Sequence, residues 1–248
     1  MKPRISIITI SYNAVDSVES ALKSFKEQDY SSKEQVIIDG GSTDGTQTIL
    51  DQYNDQFGYF VSEQDNGLYD ALNKGIIHSL GDIIGILHAD DLFYNKKVLS
   101  DVAEAFQKNP SWQALYADLN YIKPNGEIHR KWVSGEYKSG LFRKGWMPPH
   151  PTFFVKKELF EKFGNYRTDL SQAADYELML RFIEKHQITV GYLPKVISLM
   201  RVGGKSNATL KNRLEANRQD LFAWKLNDLK PPFGFRLIKP LRKIGQFI

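Results

Sequence analysis

Two aspartates stand side by side at Asp90-Asp91, directly after the apolar run Asp82-Ile-Ile-Gly-Ile-Leu87. A short apolar run of this kind reads as a buried strand, so the pair falls on a loop at the strand's end. Carboxylate oxygens are the ligands that hard divalent cations such as Mg2+ or Mn2+ prefer. Carboxylates repel a diphosphate, whereas a cation held by them bridges its oxygens and stabilises it as a leaving group. An isolated Asp-Asp serves equally well as a solvated turn or a helix cap, so the pair gains meaning only from its company. Asp39-Gly-Gly-Ser-Thr-Asp-Gly-Thr46 places a carboxylate at a strand end, before glycines that permit positive φ and close backbone approach. Asp39 there suits the N–H donor of a nucleobase, although the same octet makes an ordinary turn before a helix. Glu63-Gln-Asp-Asn-Gly-Leu-Tyr-Asp-Ala-Leu-Asn-Lys-Gly75 adds Asp65, Asp70, Asn73 and Lys74 at a third such edge. Ala173-Ala-Asp-Tyr-Glu177 brings Asp175 and Glu177 into a first helical turn, where acids favour the helix dipole.

The elements needed to position these groups are legible. Ile5 to Ile10 is a β-branched run followed by Val15, Val18, Ala21-Leu22 and Phe25 at helical spacing, which predicts strand, loop and helix. Val36-Ile37-Ile38 then leads to Asp39 and a helix over 46–53, capped by Ser42 or Asp44. A short strand at 59–61, a helix over 68–79, a strand over 82–87 and a helix over 98–107 complete the alternation. This order predicts a mainly parallel α/β sheet with right-handed crossovers, whose ligands sit beyond the carboxyl ends of the strands. Ser11-Tyr12-Asn13, Asp39 with Gly41, and Asp90-Asp91 follow three of those strands. After residue 110 the rhythm changes. Strands over 112–122 and 127–133 flank a Pro124-Asn125-Gly126 turn, short helices follow over 156–163 and 174–185, and a last strand over 196–200 makes the second half mixed.

Composition narrows the chemistry. With 248 residues, 42% of them hydrophobic, the chain buries a sizeable core as one large domain, taken here as residues 1–224. It has no cysteine, so thiolate metal sites and disulfides are excluded and any metal must be held by oxygen or imidazole. The apolar start lacks a cleavage-site pattern, and no stretch approaches the roughly 18 apolar residues of a membrane span; a cytoplasmic protein is expected. Residues 225–248 carry net charge +5, leaving −1 for the remainder. A basic tail, rather than a basic face with interleaved aromatics, argues against nucleic acid and for an anionic membrane surface. Leu237, Leu241, Ile244 and Ile248 recur beside Arg236, Lys239, Arg242 and Lys243, so this segment suits peripheral attachment to lipid or docking on the protein's own body.

Taken in order, Ile5–Asn13, Asp39–Thr46, Leu68–Gly75 and Gly81–Asp91 resemble the family 2 glycosyltransferases of GT-A fold, of the bacterial polysaccharide-biosynthesis type, over roughly the first hundred residues. The resemblance implies a nucleotide-diphospho-sugar transferase fold and a nucleotide-diphosphate sugar donor. It implies transfer of a hexosyl or N-acetylhexosaminyl group, with inversion, to a hydroxyl of a glycan or polyprenyl-linked acceptor. The donor nucleotide would be held by Ser11, Tyr12, Asn13, Asp39, Gly41, Asp70, Asn73 and Asp90, with Tyr12 and Asp39 at the base. Asp91, helped by Asp90, would hold Mn2+ or Mg2+. Asp175 matches the family's general base. His88 stands where the family often has an acid, so it is a metal ligand, a phosphate contact or a packing residue. Gly40 replaces a common second aspartate. Arg201 and Lys205 lie in a Gly-rich segment resembling the loop that closes over the donor, and are otherwise ordinary surface cations. His150, between two prolines, is a candidate for the acceptor side. A sugar nucleotidyltransferase would need a Gly-rich basic loop after the first strand, and a dinucleotide oxidoreductase a Gly-x-Gly-x-x-Gly; neither is present. A sugar-nucleotide-binding subunit without activity remains compatible with the motifs.

Overall fold

The computed structural model describes residues 2–203 and 210–235, with backbone alone for 210–214. The expectations for Lys205 and for residues 236–248 lie outside the described residues. The first half follows the predicted alternation: β1 (Ile5–Ser11), α1 (Val18–Lys26), β2 (Lys33–Asp39), α2 (Thr46–Gln52), β3 (Tyr59–Ser62), α3 (Leu68–His78) and β4 (Ile83–Ile86). β1 lies parallel to both β2 and β4, and β3 parallel to β2.

The second half adds β5 (Asp91–Phe93), α4 (Val98–Lys108), β6 (Ala114–Ile122), β7 (Ile128–Trp132), β8 (Phe154–Lys156), α5 (Glu158–Phe163), α6 (Ala174–Met179), β9 (Val190–Arg201) and α7 (Leu210–Leu226). All join one sheet of order β3-β2-β1-β4-β8-β6-β9-β5, with β7 paired to β6. The β4–β8, β8–β6, β6–β7 and β5–β9 pairs are antiparallel while β6–β9 is parallel, so the sheet is mixed on this side.

Three details depart from the sequence reading. β5 and β8 are three-residue strands, too short to show a period. β9 begins six residues ahead of the expected Val196, because its register on β6 shifts around Asp118 and so accommodates Pro194 and Lys195. The helix expected over 174–185 is α-helical only to Met179 and widens into a π-helical turn over Leu180–Lys185.

Strand period decides which face each side chain joins. Ile8 of β1 and Val36 and Ile38 of β2 pack with α3 and α6, whereas Ile5 and Ile7 pack with α1 and α4. Helix α3 crosses β1 so closely that a Cβ on Gly75 would lie 2.4 Å from Ile8 Cγ2. That approach fixes the height of α3 over the sheet. The same registry aligns Ser11 with Asp39 and Asp39 with Ser62, so three strands end in one row at the carboxyl edge. On the far side Phe235 is buried against Trp224 and Tyr176, with ring centroids 6.1 and 6.0 Å apart. The first part of the basic tail therefore rests on the body. No helix among the described residues is long and apolar enough to cross a membrane.

Candidate active site

At the row of strand ends, the Asp39 carboxylate is fully buried and gathers the surrounding loops. Its Oδ1 accepts hydrogen bonds from Ser11 Oγ (2.8 Å) and Ser42 Oγ (2.6 Å), and its Oδ2 from Ser42 N (2.9 Å) and Ser62 Oγ (2.7 Å). Burial opposes ionisation, but the bonds from Ser42, Ser62 and Ser11 outweigh it and hold the pKa below the ordinary carboxylate value. Asn13, at φ 50°, donates its N–H to Ser42 Oγ (2.8 Å) and accepts Thr43 N at Oδ1 (2.9 Å). Asp44 accepts the amides of Val15 and Thr46, the second closing a local turn ahead of α2, whose N-cap position is taken by Gly45 and not by the expected Ser42 or Asp44. Ser11, Asn13, Asp39 and Gly41, the last at φ 77°, thus form one knitted loop pair. Tyr12, between Ser11 and Asn13, presents its ring outward, 55% exposed.

The acid pair occupies the neighbouring edge, where β4 gives way to β5. Asp91 N donates to His88 O (3.0 Å), closing a tight turn, and Asp91 pairs with Met200 of β9. The Asp91 side chain is fully buried, and neither carboxylate oxygen has a hydrogen-bond partner. Burial first, and the adjacent Asp90 second, push its pKa well above the ordinary carboxylate value against the opposing pull of Arg201. A buried carboxylate without partners is costly, and a cation relieves that cost. Arg201 is already engaged, donating to Asp90 O (2.9 Å) and Ser20 Oγ (3.0 Å), so it braces the turn. Among the described residues no three His, Asp or Glu side chains converge into a metal cage. An ion held here would take one or two carboxylates and complete its shell with substrate oxygens and water, the habit of Mg2+ sites.

Beyond the pair lies a buried polar cluster that sequence spacing did not reveal. His88 and His150 stand 6.0 Å apart, and His150 Nε2 lies 2.8 Å from Tyr166 Oη. Tyr166 stacks on Tyr69, whose hydroxyl donates to Asp175 Oδ1 (3.2 Å). Burial lowers the pKa of His150 to about 4, leaving a neutral imidazole bonded to Tyr166 inside the protein. Burial and His150 lower His88 likewise to about 4, while Asp90 and Asp175 both pull it upward. His88 therefore lies within electrostatic range of both the acid pair and α6. The phenol of Tyr69 was legible only as a helical core position, and nothing in the spacing linked it to residue 175.

The remaining expected residues divide. Asn73 spends both ends of its amide on the Tyr166 backbone, Nδ2 donating to the carbonyl (2.8 Å) and Oδ1 accepting the N–H (2.9 Å). These bonds tie α3 to the second half. Asp70 accepts Asn66 N (3.1 Å) and lies 3.6 Å from Lys74, which also pairs with Glu63 (2.7 Å). Glu177 is buried on Arg181 and Asn227, which separates it from Asp175 and leaves the latter as the half-buried acid of that turn. Two surface hollows, one beside Ile76 and Phe160 and one beside Leu221 and Phe222, contain none of the site residues. The site is an open edge between loops.

Comparison with known proteins identifies the family and the fold. The model of the family described as Glycosyl transferase family 2 matches residues 6–166. A protein of Mycobacterium tuberculosis named an uncharacterized glycosyltransferase is 34% identical over 188 residues, covering 72% of this chain and 68% of its own length. A Mycobacterium bovis protein named a PGL/p-HBAD biosynthesis glycosyltransferase is 27% identical over 210 residues, covering 83% of this chain and 80% of that one. Among solved structures, residues 1–349 of Staphylococcus aureus TarS in complex with UDP-GlcNAc superpose with a TM-score of 0.68 at 19% identity, over 92% of this chain and 68% of that one. The mannosyltransferase PcManGT from Pyrobaculum calidifontis, in complex with GDP-Man and Mn2+, gives 0.68 at 23% identity, over 98% and 70%. At these identities the structures speak for a shared fold.

Proposed function

The chain belongs to glycosyl transferase family 2, and from that premise we propose that it transfers one sugar, hexosyl or N-acetylhexosaminyl, from a nucleotide-diphosphate donor to a hydroxyl of a glycan or polyprenyl-linked acceptor with inversion at the anomeric carbon. The observation that carries this reading is that the carboxyl ends of β1, β2 and β4 bring Asp39 and the Asp90-Asp91 pair to one sheet edge. Asp91, buried and unpartnered, fits a divalent cation, with Asp90 beside it. Such an ion, when bound, supplies positive charge against the diphosphate as it departs.

The protein's own groups do the rest. Asp175 accepts the proton of the acceptor hydroxyl as the new bond forms between that oxygen and the anomeric carbon. The bond from the anomeric carbon to the diphosphate oxygen breaks at the same time, and the electron pair leaves with the nucleotide. Attack opposite the leaving group inverts the centre, and no protein nucleophile is required. Tyr69, bonded to Asp175 Oδ1, holds the carboxylate in place and leaves Oδ2 as the oxygen to take the proton. The basic residues of 225–248 favour an anionic membrane surface, where a lipid-linked acceptor would be met.

The reading is tested by incubating the protein with UDP-, GDP- and dTDP-sugars, with Mg2+, Mn2+ or chelator, and following nucleotide release. Release of nucleoside diphosphate with a metal ion and its loss in chelator are expected. Asp175→Asn should retain donor binding and lose transfer; loss of donor affinity instead would move Asp175 into the nucleotide site.

A further inference from the structure

Gly40 does not owe its place to backbone conformation, since its φ lies outside the left-handed region that favours glycine. It owes it to space. A Cβ at position 40 would lie 2.6 Å from Asp65 Oδ2, 3.2 Å from Asp65 Cγ and 3.3 Å from Cδ2 of the Tyr12 ring. The volume next to the strand-end aspartate is filled by a carboxylate delivered from the loop before α3. Asp65 is held in that pose by its own turn, Oδ1 accepting Gly67 N at 2.8 Å, while Oδ2 is the atom turned back over Gly40.

Asp39 cannot offer the same service without rearrangement. A carboxylate has about four lone-pair directions, and here Ser11, Ser42 twice and Ser62 take all four. A base N–H would have to displace one of these bonds in a fully buried position. Asp65 is only half-buried, and it borders the outward ring of Tyr12, a flat surface suited to stacking.

We infer that Asp65 Oδ2, with the Tyr12 ring as platform, is the acceptor that reads the donor's nucleobase, and that Gly40 exists to admit it. The inference rests on the nucleotide-sugar reading of the site and deepens it. An ionised carboxylate only accepts hydrogen bonds, so it selects bases that present a ring N–H on their pairing edge. Uracil and thymine do so at N3, and guanine at N1. Cytosine and adenine present a ring acceptor at that position and are repelled. The donor class is therefore a uridine, thymidine or guanosine diphosphate sugar.

Titration calorimetry of UDP, GDP, CDP and ADP with Mn2+ tests this on the whole chain. The wild type should bind UDP or GDP more tightly than CDP and ADP. Asp65→Ala should weaken the preferred diphosphate by about tenfold or more, the value of one hydrogen bond to a charged group, and leave CDP and ADP within about twofold. Gly40→Ala, which removes no polar group and pushes Asp65 aside, should reproduce that loss. Asp65→Asn, whose amide can donate to a ring acceptor, should narrow the gap between UDP and CDP. Retention of UDP and GDP affinity within about twofold in both Asp65→Ala and Gly40→Ala would overturn the assignment to Asp65 and leave the donor reading standing. A wild type that binds no nucleoside diphosphate would overturn the donor reading, and this assignment with it.

Discussion

Replacing Asp91 by asparagine should make the metal-free protein more stable, the reverse of what most substitutions at a fully buried position do. Neither oxygen of Asp91 has a partner, and its pKa stands well above the usual value because of burial and Asp90. An acid whose folded pKa exceeds its unfolded pKa binds more protons folded than unfolded. Stability is therefore lost as pH climbs from the ordinary carboxylate range through the folded pKa. Asparagine keeps the shape and abolishes that loss. A buried unsatisfied polar group costs about 1–3 kcal/mol, and more when charged. In a chain of this size each kcal/mol moves the midpoint by roughly 2–4 °C, so Asp91→Asn should melt roughly 2–12 °C higher than wild type in EDTA near pH 8. The gap should vanish below about pH 4, where the unfolded carboxylate is protonated too. With Mn2+ and nucleoside diphosphate at about 1,000 times their dissociation constant, the wild type gains about 4.1 kcal/mol and overtakes the variant, which gains little. Differential scanning fluorimetry across pH, with EDTA or with Mn2+ and nucleotide, measures both halves. If the variant melts below wild type in EDTA at pH 8, Asp91 has a stabilising partner and the argument for a cation fails.

Three further outcomes follow from the same geometry. Tyr69→Phe removes the 3.2 Å bond to Asp175 Oδ1, so kcat should fall by about tenfold with donor KM unchanged; an unchanged kcat would separate Tyr69 from Asp175. His150 has its pKa lowered to about 4 by burial, so between about pH 7 and pH 5 the unfolded chain takes up the proton that the folded chain refuses and about 2 kcal/mol of stability is lost; urea titrations at both pH values should show His150→Gln flattening that slope. Gly75→Ala places a methyl 2.4 Å from Ile8 Cγ2 and should cost about 1–3 kcal/mol despite alanine's better helix propensity, with Ile8→Ala recovering part of the loss in a double-mutant cycle.

The parallel half was legible because each β-branched run and each amphipathic helix carries its period in its own residues. Ile5 to Ser11 and Lys33 to Asp39 needed no knowledge of their neighbours. The second half was less so because its short strands are defined by partners. Three residues at Phe154–Lys156 form a strand only by lying between β4 and β6, and Asp91–Phe93 only by meeting β9. The site followed the same division. Positions at strand ends, Ser11, Asp39, Asp90 and Asp91, were placed by their elements. The choices among neighbouring polar groups were not, because Asn73 and Asp39 are spent on contacts with residues far along the chain or on another strand. Asp65 shows the converse: its meaning depends on an absent side chain at position 40, which spacing registers as one glycine among several.

The edge poses an electrostatic question, because six aspartates border a site assigned to an anionic diphosphate: 39, 65, 70, 90, 91 and 175. Their charges are not equivalent. Asp39 is answered by four hydrogen bonds, Asp70 by Lys74 and a backbone amide, Asp65 by the Gly67 amide and Asp175 by the Tyr69 hydroxyl. Asp91 alone among them is sealed from water with neither oxygen hydrogen-bonded and only the partial pull of Arg201 against its charge, next to the half-buried Asp90. A diphosphate arriving first would meet this uncompensated acid, whereas a divalent ion arriving first or with it inverts the local sign. Binding should accordingly be coupled, nucleotide tightening metal and metal tightening nucleotide by the same factor, as linkage requires. The acidity of the edge is what makes donor affinity conditional on the ion, and the one carboxylate among the six that is buried without hydrogen bonds is what localises that condition.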